Sequence, residues 1–175
     1  MSADDDDRME ATSTLEYIQE SAFPTDLPLF DVLSKFWSEL KRILPANHLH
    51  VIDPYVLDAG GADPEIYAGN VAALLKPALE NVSSVTFVHG KIREGVQDFL
   101  RQDIALINPS LSVQLHKGRE MHSRHLVTDR SRAVRMEFSF NRIGKVFGTV
   151  SFVDDADDIE GILQEVERLH PHTAP

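Results

Sequence analysis

The 175 residues carry 28 Asp and Glu against 17 Lys and Arg, a formal charge of -11 with a pI near 5.1. This argues against sequence-blind polyanion binding, whose affinity comes from lysine and arginine neutralising phosphates. The chain has no cysteine, so disulfide frameworks, thiolate zinc sites and cysteine nucleophiles are excluded, while 42% hydrophobic and 26% charged residues fit one folded domain.

Residues 1–24 lack apolar periodicity and hold the acidic run of MSADDDDRME, so a flexible acidic arm is expected there, followed by a folded domain over 25–175. The acidic start has no secretory character and no run is long enough to cross a bilayer, which makes the cytoplasm the expected location. Leu29, Val32, Leu33, Phe36, Trp37, Leu40, Ile43 and Leu44 recur at three- and four-residue spacing, an amphipathic helix stopped by Pro45. Its apolar stripe packs into a core or docks onto another chain, the first being the commoner fate.

A short strand is expected over 49–52, then a turn at Asp53-Pro54, a helix over 66–79 and a strand in SSVTFVHG closing at Gly90. A helix over 92–102 and a weaker strand over 112–115 follow. The alternation of strands and helices predicts an α/β fold. In the last third, RHLVTD, AVRMEFSF and KVFGTVSFV are β-prone runs with little helical material between them, which predicts adjacent antiparallel strands. Asp154, Asp155, Asp157 and Asp158 then open a final helix with Ile159, Ile162, Leu163, Val166 and Leu169 on one face.

The segment MHSRHLVTD sets His122, Arg124 and Asp129 in a His-x-Arg-x4-Asp spacing, and strand alternation would put 122 and 124 on one face. An imidazole beside a guanidinium suits a phosphodiester. The imidazole attacks phosphorus or shuttles a proton, and the planar cation grips the phosphoryl oxygens. A carboxylate such as Asp129 commonly orients an imidazole.

These residues resemble the His-x-Lys-x4-Asp signature of the phospholipase D superfamily, in the bacterial variant with arginine in place of lysine. Downstream, Phe138-Ser139-Phe140-Asn141 resembles its Gly-Ser-x-Asn element without the glycine, and SFNRIGKVFGTVSFVDD is similar to the bacterial variant through Lys145. The resemblance spans roughly 121–155 and implies one α/β domain, a mixed β-sheet flanked by helices. It also implies a catalytic trio of His122, Arg124 and Asp129, phosphate binding by Ser139, Asn141 and Lys145, and no metal or other cofactor.

Enzymes of this family pair two signature copies, one histidine forming a phosphohistidine and the other protonating the leaving group. This chain has one copy, so an active metal-independent phosphodiesterase or nuclease would need a homodimer. The single copy and the arginine at 124, which does not replace lysine conservatively, favour a degenerate phosphodiester-binding module. Such a module would serve as a subunit of a bacterial nucleic-acid-handling or defence complex with local nucleic acid contact. Membrane recruitment is not expected, since no basic amphipathic helix is present.

Other candidates have plainer readings. His48 and His50 lack further ligands at diagnostic spacing and read as packed or solvated histidines. The DDADD run lacks the glycine and closing glutamate of a calcium loop and reads as helix N-terminal acids. Gly144 and Gly148 read as turn or strand-edge glycines. Arg119, Arg130, Arg132, Arg135 and Arg142 could track a nucleic acid backbone, but pairing with the many carboxylates is the commoner fate.

Overall fold

The computed structural model describes residues 20–118 and 120–169. In chain order the elements are β1 (Glu20–Phe23), α1 (Leu29–Lys41), β2 (His48–Ile52), α2 (Pro64–Leu79), β3 (Ser84–His89) and α3 (Val96–Ile107). Then come β4 (Ser112–Lys117), β5 (His125–Thr128), β6 (Arg132–Met136), a 3-10 turn at Phe140–Arg142, β7 (Gly148–Val153) and α4 (Ala156–Leu169). One sheet runs in the order β1-β7-β6-β5-β2-β3-β4. The βα units make β2, β3 and β4 parallel, and the expected antiparallel run of the last third follows from β5 outward to β1.

Side-chain alternation divides two cores. Leu49, Val51, Val85, Phe87, Leu126 and Val134 face the layer of α1, α2 and α3, in which α1 packs on α2 and α2 on α3. On the other face Ile52, Val88, Val127 and Ala133 meet Ile159, Leu163 and Val166 of α4. Val32, Phe36 and Leu40 of α1 are buried, and Trp37 donates its indole N–H to the Ala73 carbonyl at 2.9 Å. The α1 stripe is therefore core packing within the chain. The mixed sheet between helices is the expected α/β architecture.

Several boundaries differ from the sequence reading, each for a local reason. The sheet already includes Glu20–Phe23, four residues of the expected arm, because Phe23 is fully buried against the Phe138 ring at 5.2 Å. Residues 1–19 of that arm lie outside the described residues. Helix α1 stops at Lys41 and its last turn tightens, with N–H groups of Arg42, Ile43 and Leu44 reaching carbonyls three residues back. Pro45 disfavours helical backbone at the residue before it. Helix α3 starts at Val96 and not at 92, since Gly95 sits at φ +83°, outside the helical region, and Ile92 bridges to Leu57 instead.

Candidate phosphate site

The carboxyl ends of β2, β3, β4 and β6 open onto one edge of the sheet, the usual place for a ligand in an open α/β sheet. At the end of β2, Asp53 is completely buried. Its Oδ1 accepts the Tyr55 N–H at 2.9 Å and its Oδ2 accepts the Phe140 N–H at 2.8 Å. Phe140 is thus drawn out of the β-prone AVRMEFSF run into a 3-10 turn, which delivers Ser139 and Asn141 to the same edge. Burial pushes the Asp53 carboxyl up from its usual range, against the pull of those two N–H groups, Ser139 and Arg124.

Arg124 stands over this carboxylate with Nε 4.0 Å from Asp53 Oδ1. The same Nε–H is donated to the buried Ser139 hydroxyl at 2.6 Å, and the Arg124 carbonyl accepts the Met136 N–H at 2.9 Å. Backbone and side chain are both held. Residues 121–124 precede β5 as irregular chain, so strand alternation does not place His122 beside Arg124. The two nevertheless line one cleft of about 370 Å³ with His125, Arg135 and Glu137.

His122 is exposed and also borders a larger cleft of about 650 Å³ with Tyr55, Asp58, Lys91 and Lys117. A third cleft, about 400 Å³, joins Tyr55 and Asp58 to Arg124, Ser139, Asn141 and Arg142. Shared lining residues connect the three. The Asn141 side-chain amide donates to the Asp58 carbonyl at 2.9 Å, which fixes the 3-10 turn against the loop after β2. His125, the other imidazole close to the motif, is buried in β5 with its pKa lowered to about 4 by desolvation and by Arg135.

The remaining sequence candidates lie elsewhere. Asp129 is at the far end of β5, where its carboxylate accepts N–H groups of Asn47 and His48 at 2.9 to 3.1 Å. It is not brought to His122. With Arg130 it makes the β5–β6 turn, both residues at positive φ, a geometry that aspartate tolerates and hairpin turns demand. Lys145 donates to the Asn141 carbonyl at 3.2 Å and borders a groove of about 280 Å³ beside Leu29, Val32 and Val71, which meets the Arg124 cleft only at Asn141.

Arg130 pairs with Glu160 at 2.7 Å and with Glu167, and Arg132 donates to the carbonyls of Leu44 and Pro45. Arg130 follows the expected pairing with carboxylates, whereas Arg132 is committed to backbone carbonyls; Arg135 and Arg142 line the clefts, and Arg119 lies outside the described residues. His48 is held by Ser84 at 2.6 Å and Thr86 at 3.2 Å, and no group of three His, Asp or Glu gathers as metal ligands among the described residues. Among those residues no helix is long and apolar enough to cross a membrane.

In sequence the chain matches no family model and no curated protein. In structure it aligns with Nuc from Salmonella typhimurium, a phospholipase D family member, with a TM-score of 0.55 over 86% of this chain and 91% of that one, at 13% identity. This chain has the phospholipase D fold. NucT from Helicobacter pylori aligns over 87% of this chain and 95% of its own at 11% identity, with a TM-score of 0.49.

Within this phospholipase D fold, sequence reasoning passed over Asp53, Tyr55, Lys91, Lys117 and Glu137 as site residues. The signal for the first two was present: DPY directly follows a strand, and an aspartate ending a parallel strand is well placed to face a ligand. The lysines are separated by 26 positions and carried no motif. Only the parallel pairing of β3 with β4, which sets His89 opposite Lys117, brings their loops together.

Proposed function

We propose that this chain is a phospholipase D-like module that binds a phosphodiester at Arg124, Ser139 and Asn141, with His122 beside the phosphorus, and that it works within a nucleic-acid-handling assembly. The observation that carries this reading is the fixing of Arg124 by Ser139 and buried Asp53. With Nε committed to Ser139, the fork of terminal nitrogens is what a phosphate in the cleft would meet. A guanidinium held in advance loses little freedom on binding.

A second reading is an active enzyme, favoured by the exposure of His122 at the junction of two clefts. In a homodimer, His122 of one copy would attack phosphorus, forming a P–N bond as the P–O bond to the leaving alkoxide breaks. His122 of the other copy would protonate that alkoxide. Water deprotonated by the same imidazole would then cleave the P–N bond.

The test is titration with bis(p-nitrophenyl) phosphate followed by NMR, with turnover measured in EDTA. Binding that weakens about tenfold or more in Arg124→Ala and persists in His122→Ala supports the module. Unchanged binding in Arg124→Ala overturns it. Turnover by a dimer that disappears in His122→Ala selects the enzyme.

A further inference from the structure

The loops after β2 and β3 build the cleft of about 650 Å³ next to the Arg124 site, a volume suited to a small organic ligand. Its walls carry Tyr55, Ile92 and two lysines, Lys91 and Lys117, together with Asp58 and His122. Lys91 Nζ lies over the Tyr55 ring, 5.3 Å from its centroid, a cation-π contact that a base stacking on that face would displace as the ammonium turns to the phosphate. In a chain of net charge -11, two ammonium groups in one cleft create a local reversal of sign.

The cleft is built rather than draped. The Pro54 carbonyl accepts N–H groups from both Gly90 and Lys91 at 2.9 Å, and the Arg93 N–H reaches the Leu57 carbonyl at 2.8 Å. At Gly90 a Cβ would come within 3.2 Å of that Pro54 oxygen, so the close approach of the two loops favours glycine. Tyr55 and Asp58 also line the cleft of Arg124, Ser139 and Asn141. A continuous path therefore runs from the proposed phosphodiester position past an aromatic ring to two cations.

We infer that this cleft is a one-nucleotide subsite for single-stranded nucleic acid, in which an unpaired base stacks on Tyr55 and Ile92 and its phosphate lies between Lys91 and Lys117. A ring and cations within one nucleotide's span are the two features by which single strands are held. A paired base in a duplex has no free face to offer the ring. Asp58, whose Oδ1 accepts the Gly60 N–H at 3.0 Å, is an acceptor for a base amino group or a ribose hydroxyl and disfavours a second phosphate at its own end. The inference rests on the phosphodiester reading above, because that site supplies the neighbouring linkage.

The test is fluorescence anisotropy of the full chain with a short labelled single-stranded DNA, its RNA counterpart and the corresponding duplex, alongside the bis(p-nitrophenyl) phosphate titration. Tyr55→Leu and Lys91→Gln are each expected to weaken binding of either single strand by roughly five- to twentyfold, with Tyr55→Phe close to the parent. Lys91→Gln should also lower the salt dependence by about one counterion. Duplex should bind about tenfold or more weakly than the single strand.

Equal affinity for duplex and single strand overturns the subsite. So does retention of single-strand affinity in both variants while Arg124→Ala loses it, a result that leaves the phosphodiester site standing. If Arg124→Ala also binds the small phosphodiester like the parent, the underlying reading has failed instead.

Discussion

Arg124 donates its Nε–H to Ser139 Oγ at 2.6 Å, and the residue after Ser139, Phe140, is held by giving its N–H to Asp53. Removing the hydroxyl should release the guanidinium without emptying the cleft of charge. Ser139→Ala is expected to weaken binding of bis(p-nitrophenyl) phosphate by about three- to tenfold and to lower stability by about 1 kcal/mol, the usual worth of one hydrogen bond. An NMR titration paired with urea unfolding reads both. Unaltered affinity would mean that Arg124 needs no anchor.

Asp53 is the keystone of the same arrangement, since its two oxygens accept from different N–H groups, Tyr55 and Phe140. An asparagine has one carbonyl oxygen and must turn its NH2 toward one of those donors. Asp53→Asn should therefore cost about 1 to 3 kcal/mol of stability despite matching in shape, and should loosen the 3-10 turn that carries Ser139 and Asn141. Urea unfolding measures the first effect. Faster amide hydrogen exchange at Phe140 would report the second.

How much of this was legible in the sequence depends on whether a feature is local. Most strands and helices were, because their apolar periods of two and of three to four are local; Gly95 and Pro45 moved two helix ends where backbone rules override periodicity, while α2 starts at Pro64, α3 runs on to Ile107 and β1 lies within the expected arm. His122, Arg124, Ser139 and Asn141 were legible as a spaced pattern, and the structure brings Arg124, Ser139 and Asn141 to one cleft and His122 to its neighbours. Asp129 belongs to the same pattern but not to the clefts, because a pattern records order along the chain and β5 carries its two ends apart; Lys145 reaches the Asn141 carbonyl and borders a neighbouring groove that Asn141 shares with the Arg124 cleft. Lys91, Lys117 and Tyr55 were not legible, since their proximity is made by the pairing of β3 and β4 and by the Pro54 carbonyl.

The position of Asp129 makes a prediction that separates a fold role from a catalytic one. Its carboxylate ties the β5–β6 turn to the start of β2 through Asn47 and His48. Asp129→Asn keeps an acceptor and tolerates positive φ, so a loss of about 1 kcal/mol is expected. Affinity for bis(p-nitrophenyl) phosphate and any pH dependence of that affinity should match the parent. A shift in the pH profile would instead place Asp129 in contact with the working imidazole.

Two imidazoles, buried His125 and half-buried His50, contribute to the response to acid. Desolvation, with His48, Arg130 and His116 adding to it, lowers His50 to about 4, and desolvation with Arg135 lowers His125 to about 4. Both fold as neutral rings, whereas the unfolded chain takes up these protons near pH 6.5. The stability they confer is thus complete above about pH 6.5 and is lost as pH falls toward 4. Between about pH 8 and pH 5 each should account for a loss of about 2 kcal/mol. His125→Gln removes one titrating ring, so the fall in urea-unfolding free energy over that interval should shrink by about 2 kcal/mol relative to the parent. An identical fall in both proteins would show that His125 takes up its proton without leaving the fold.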